Sequence, residues 1–197
     1  MKRHIAVLSI IIFLLFSLPV YAGAPLDTVQ ANVNKVLEVL RDPKLKAASA
    51  KEIKKKKLSP IYERMFNDVE LSKRTLAKNW NSMNAVQQKE FVQLFRQVLE
   101  KAYIDKILAY TDEKIVFDRE IMVSGTQAEV QTRIVTSSKE IPISYRVILT
   151  ARNWKVYDVL IENVSLVMNY RTQFNDILAK NTIQQLLEIL RKKVKDQ

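Results

Sequence analysis

Apolar positions recur every three or four residues from Ala24 to Tyr110, every second residue after Thr111-Asp112, and at helical spacing again from Ser165. These periods predict a run of helices, then strands, then helices. The first helix carries Leu26, Val29, Val33, Val36 and Leu40 until Asp42-Pro43 breaks it, and a second covers 44–66. Leu71, Leu76 and Trp80 mark a short helix. Asn84 then caps a long one bearing Phe91, Leu94, Phe95, Val98, Ala102 and Tyr103 through Leu108. Aromatics at that spacing, Phe91 and Phe95 first, are read as core.

Four strands follow, at 115–124, 127–137, 141–150 and 154–161, with connections short enough for an antiparallel meander. One face is legible: Ala128, Val130, Thr132 and Ile134 on the second strand, then Ile141, Ile143, Tyr145, Val147 and Leu149 on the third. The alternate residues Glu129, Gln131, Arg133, Ser144 and Arg146 are polar and are expected to meet water. The last strand has little polar surface, with Val156, Tyr157, Val159, Leu160 and Ile161, so it must be central or covered on both sides. Two helices end the chain at 165–180 and 182–194, with Ser165 and Thr182 as N-cap candidates. The expected class is α+β, with helices on one face of a bent four-stranded antiparallel sheet.

The start changes the picture. Lys2, Arg3 and His4 precede an apolar run at 5–18, and Val20-Tyr21-Ala22 supplies a small-residue cleavage site. This predicts a signal peptide at 1–22 and a mature chain beginning at Gly23, exported to the periplasm. An uncleaved anchor is the rival, but the run is short of the roughly 20 residues a spanning helix needs. The remaining 175 of 197 residues suit one domain, 23–197, helical over 24–110, sheet over 115–161, with C-terminal helices over 165–194.

The formal charge of +11 becomes +9 without Lys2 and Arg3. A basic exported chain meets anionic lipid, wall polymer or acidic partners, not nucleic acid. The Lys51 to Lys57 run, with Lys54, Lys55 and Lys56, is either a solvated face or a docking surface, and transient membrane contact fits the same charge. The chain has no Cys, and its one His leaves with the signal. That removes thiol nucleophiles, His-ligated metals and imidazole bases. No metal, cofactor or catalytic residue is expected.

The residues around the last strand resemble a known signature. Trp154-Lys155-Val156-Tyr157-Asp158-Val159, Glu162-Asn163-Val164-Ser165-Leu166, Asn169-Tyr170-Arg171 and Phe174 are similar to the MlaC family, whose members are the periplasmic phospholipid-binding components of a lipid-asymmetry ABC transport system. The resemblance extends to Asp68, Leu76, Trp80, Gln88, Phe91, Phe95, Leu99, Tyr103, Pro142 and Tyr145. Two departures stand out: the family commonly has Gly where this chain has Asn163, and often Leu-Gly where it has Leu76-Ala77. The resemblance implies an NTF2-like fold with added helices and a phospholipid carrier rather than an enzyme. Its implied partners are an outer-membrane lipoprotein complex and an inner-membrane MCE-domain ABC transporter.

A carrier needs a dry cavity. Two tails hold roughly 30 methylenes, each worth about 0.8 kcal/mol on leaving water. The expected lining is Val130, Ile134, Ile143, Tyr145, Val147, Leu149 and Val156 from the sheet, roofed by Val167, Tyr170 and Phe174, with Tyr103 and Ile107 nearby. The plain alternative is that these side chains fill a core, as in an exported interaction module or chaperone. A second alternative is an enzyme using Asp158 or Tyr145 as acid or base. Asp158 in an apolar strand needs a partner if buried, and Arg171 is one candidate.

Overall fold

The computed structural model describes residues 25–109, 113–151 and 153–196. The expected signal peptide at 1–22, its cleavage site, Gly23 and Ala24, the change of period at Thr111-Asp112 and the predicted helix end at Tyr110 lie outside the described residues.

The first helix, α1 (Pro25–Arg41), buries Val29, Val33, Leu37 and Leu40, a stripe at steps of four and three. Asp42 then accepts a hydrogen bond from the Lys44 amide and starts a 3-10 turn at Pro43–Leu45. The second α-helix therefore begins at α2 (Lys51–Met65), seven residues later than its apolar pattern predicts. Next come α3 (Asp68–Leu76), a 3-10 stretch at Ala77–Ser82, and α4 (Ala85–Leu108). Asn84 and Gln87 close a reciprocal capping box on α4, so two orphan amides at its start are satisfied.

The sheet is β1 (Lys114–Ser124), β2 (Gln127–Val135), β3 (Glu140–Thr150), β4 (Asn153–Ile161) and a two-residue β5 (Val164–Ser165), all antiparallel and in sequence order. Among the described residues it thus has five strands rather than four. Register shifts at Phe117/Arg119, Met122/Ser124 and Arg146/Val147 are bulges, and bulges bend a sheet. Glu162 and Asn163, at φ 50 and 67, form the tight reversal from β4 into β5. Asn163 thereby holds the left-handed turn where the resembled family commonly has Gly.

The final pair is α5 (Leu166–Leu178) and α6 (Ile183–Asp196). Ser165 Oγ accepts from the Met168 amide, and Thr182 exchanges hydrogen bonds with Gln185, so both predicted N-caps are in place.

Two cores result. Phe91 and Phe95 of α4 meet Tyr170 and Phe174 of α5 edge to face with ring centroids 5.0 to 5.5 Å apart, and α6 closes this cluster with Leu186, Leu187 and Leu190. The other core lies between α1 and the sheet, with Met65 of α2 beside it. Phe66 touches both, and its bridge to Val156 joins the helical layer to the edge of β4.

Helices also reach the second face of the sheet, which corrects the one-face expectation. The Arg74 guanidinium of α3 lies 4.0 Å from the Tyr157 ring centroid, and the start of α5 is bound to Asp158. Strand β4 is covered on both sides, which explains its lack of polar surface.

Ala77 ends α3 at φ 50, ψ −121, a conformation glycine adopts freely and alanine does not. Its methyl is exposed and packs against little. Ala77→Gly is expected to stabilise the domain by about 1 kcal/mol, seen as a higher urea midpoint at unchanged slope. A midpoint that stays put or falls would show that Ala77 is unstrained.

Candidate functional site

The sheet presents one continuous apolar face to α1. Its rows follow from register: Ala128, Val147 and Val156 stand side by side, then Val130, Tyr145 and Val159, then Thr132, Ile143 and Ile161. Alternation puts these residues on one side of each strand, and the bulge at Arg146/Val147 keeps the rows aligned by looping out Tyr157. Val130, Val147 and Val156 are at most 1% exposed. Thr132 is buried too, but its hydroxyl donates to the Ile143 carbonyl at 3.0 Å, so no polar atom is stranded there.

Helix α1 covers this face with Val29, Val33 and Leu37. Among the described residues, the polar contacts between α1 and the sheet lie at the two ends of the helix. Glu120 Oε2 accepts from the Leu26 amide at 2.8 Å, a carboxylate on a helix N-terminus, and Arg41 donates to the Glu113 carbonyl at 3.4 Å. Between those ends the seam is held by side-chain burial, which is non-directional and can be exchanged for another apolar surface.

The opposite face is polar. Arg133 pairs with Asp118 and Glu140 at 2.8 and 2.6 Å, and Arg146 with Glu129 and Asp158 at 3.2 and 3.4 Å. Asp158 is 2% exposed and also accepts from Ser165 Oγ at 2.6 Å and the Val167 amide at 3.0 Å. Arg171, the candidate partner from sequence, instead donates to the Arg74 carbonyl, 2.9 Å from its Nε. A pocket of about 290 Å3 opens here, lined by Arg74, Arg146, Arg171, Glu129 and Asp158 with Val123 and Met168 at its edge. Its charges suit it poorly to hydrocarbon. Asp158 and Tyr145, the two acid or base candidates, lie on opposite faces of the sheet.

Among the described residues, no cluster of carboxylates is suited to a metal ion, and no helix is long and apolar enough to cross a membrane. Lys51, Lys55 and Lys57 are in surface ion pairs with Asp105, Glu52 and Asp42. Such pairs contribute little to stability.

The family model described as MlaC protein matches residues 30–192. The chain belongs to the MlaC family. Its fold is shared by a phospholipid-binding protein from Ralstonia solanacearum, solved in complex with a phospholipid: the TM-score is 0.81 at 19% identity, over 88% of this chain and 98% of that one. No curated protein matches the chain.

Within this MlaC-family fold the twelve sequence candidates divide. Val130, Ile134, Ile143, Tyr145, Val147, Leu149 and Val156 come together under α1. Val167, Tyr170 and Phe174 do not roof them; they pack with α4 and α6 in the helical core, and α1 is the cover. Tyr103 borders that helical core, with the Lys106 ammonium 5.4 Å from its ring centroid, and Ile107 is 42% exposed. The cause is local. Asp158 points away from α1 and draws the first turn of α5 onto the opposite face, so only Leu166 of that helix reaches the α1 seam. Sequence reading missed Val29, Val33, Leu37, Asn32, Glu120 and Trp154 as members of the site. The stripe on α1 signalled burial without naming the surface it meets.

Tyr145 keeps some accessible surface, yet the crowding of protein around its hydroxyl pushes the phenol pKa up to about 12 through desolvation. A raised pKa means stability present below the unfolded value near 10 and lost as pH climbs toward 12. The wild type is therefore expected to lose more stability than Tyr145→Phe between pH 9.5 and about 12, measured by urea midpoints. Parallel losses would place the phenol in water.

Proposed function

We propose that the chain is a periplasmic phospholipid carrier that holds the acyl tails between α1 and the apolar face of β2, β3 and β4. The observation that carries this reading is the seam itself: a face three strands wide, covered by a helix that is tied down by polar contacts at its ends. Membership of the MlaC family and a fold shared with a protein bound to a phospholipid support it. In the open state Val130, Ile134, Ile143, Tyr145, Val147, Leu149 and Val156 would line the tails, and Val29, Val33 and Leu37 would face them from the helix. Tail burial of the order of 25 kcal/mol makes a dry apolar site necessary for any carrier that takes lipid from a bilayer, and the seam can supply one. No chemical step is needed.

The route follows from the same reading. The carrier would take lipid from, and deliver it to, an outer-membrane lipoprotein complex and an inner-membrane MCE-domain ABC transporter, after export and removal of residues 1–22.

The protein purified gently from the periplasm is expected to carry phospholipid, seen by native mass spectrometry. Val147 is 1% exposed, so Val147→Glu separates a filled core from a seam that opens. A filled core would unfold around an unpaired carboxylate. A seam lets α1 lift and water enter, so the variant is expected to keep its circular dichroism and lose its lipid. Wild-type protein free of phospholipid, or a folded variant that retains it fully, would contradict the proposal.

A further inference from the structure

Two enclosed polar atoms in the α1 seam have no hydrogen-bond partner among the described residues: the Trp154 indole Nε1 and Asn32 Oδ1. Both side chains are 5% exposed. Trp154 stands opposite Leu149 at the start of β4 and belongs to the cluster that α1 covers. Asn32 comes from the buried stripe of α1 between Val29 and Val33, and its Nδ2 already donates to the Thr28 carbonyl at 2.8 Å. Buried donors and acceptors are paired in the great majority of native structures, because an orphan forfeits its bonds to water. Of the two orphans, the Trp154 donor belongs to the cluster that α1 covers, and the Asn32 acceptor is buried on α1 itself.

We infer that the Trp154 indole N–H is the donor for an ester carbonyl of a bound diacyl lipid, fixing how deep the tails enter. This rests on the phospholipid reading above and adds to it a polar anchor inside the apolar site. The indole N–H can only donate, and an ester carbonyl can only accept. Of the acceptors on a phospholipid, the esters join directly to the tails and carry no charge, so they can follow the tails out of water. The phosphate cannot take this place. The cluster around Trp154 is apolar, and Glu120, which lies on this face in the row of Val130 and Tyr145, is an anion spent on the Leu26 amide.

The test compares two probes with wild-type mature protein: a diacyl phosphatidylethanolamine and the dialkyl ether analogue of equal chain length, each competing against a fluorescent phospholipid. The diacyl lipid is expected to bind about tenfold tighter, the typical effect of leaving an enclosed donor unpaired. In Trp154→Phe, which keeps an aromatic ring and removes the donor, both lipids should bind alike, near the wild-type affinity for the ether. The chain has two Trp residues, so the Trp154 indole proton is assignable by NMR once Trp80→Phe removes the other. Its resonance should move downfield with the diacyl lipid and stay with the ether, which tests the bond even if Trp154→Phe fails to fold. Equal wild-type affinities, an unmoved indole resonance, or an ester preference that survives Trp154→Phe would each overturn the anchor while leaving the carrier intact. If neither lipid bound the wild type, the carrier reading itself would fall.

Discussion

Excluding water from one side of β2, β3 and β4 is the requirement that organises the domain. The rows through Ala128, Val147 and Val156 and through Val130, Tyr145 and Val159 carry no hydrogen-bonding side chain except the Tyr145 phenol, so some apolar surface must always lie against them. In this structure that surface is α1. Because burial is proportional to area and indifferent to direction, hydrocarbon of similar extent can take its place. On the proposed reading, the stability of the covered face and its capacity for lipid would be one property expressed in two states.

A domain built this way needs a second source of rigidity, and the helical core supplies it. The edge-to-face contacts among Phe91, Phe95, Tyr170 and Phe174, closed by α6, owe nothing to the α1 seam. Asp158 joins the two parts: it is buried in β4, held by Arg146 from β3, and accepts from Ser165 and the Val167 amide at the start of α5. Removing one partner of a buried charge is far costlier than the net worth of the pair, so this joint resists opening. Among the described residues the seam under α1 has no such joint between its ends, so on the proposed reading it is where the domain would open.

The sheet was legible because period-two alternation fixes which residues share a face, and short turns fix which strands are neighbours. Six of the candidates, Val130, Ile134, Ile143, Tyr145, Val147 and Leu149, follow from that alternation; Val156 does not, because the last strand lacks it. The cover was not legible. Val167, Tyr170 and Phe174 form a good stripe directly after β4, and adjacency suggested that α5 folds back over the strand it follows. The reversal at Glu162-Asn163 pairs β5 with β4, and the Asp158 carboxylate pulls α5 to the opposite face; neither contact leaves a periodic trace. The stripe on α1 was equally visible, but a helix pattern states that a surface is buried and not which surface buries it. The orphan atoms of Asn32 and Trp154 were out of reach for the same reason: satisfaction of a polar group is a property of three-dimensional neighbours.

Where the acyl tails lie can be read directly by photochemistry. A phospholipid with a diazirine near the end of one tail, loaded on the mature protein and activated by light, inserts into whatever lies against the hydrocarbon. Peptide mapping by mass spectrometry should find the label on residues 25–41 and on β2, β3 and β4, at Val130, Tyr145, Val147 or Val156. Label concentrated on Phe91, Phe95, Phe174 or Leu186 of the helical core, or around Arg74 and Arg171 on the polar face, would contradict the account.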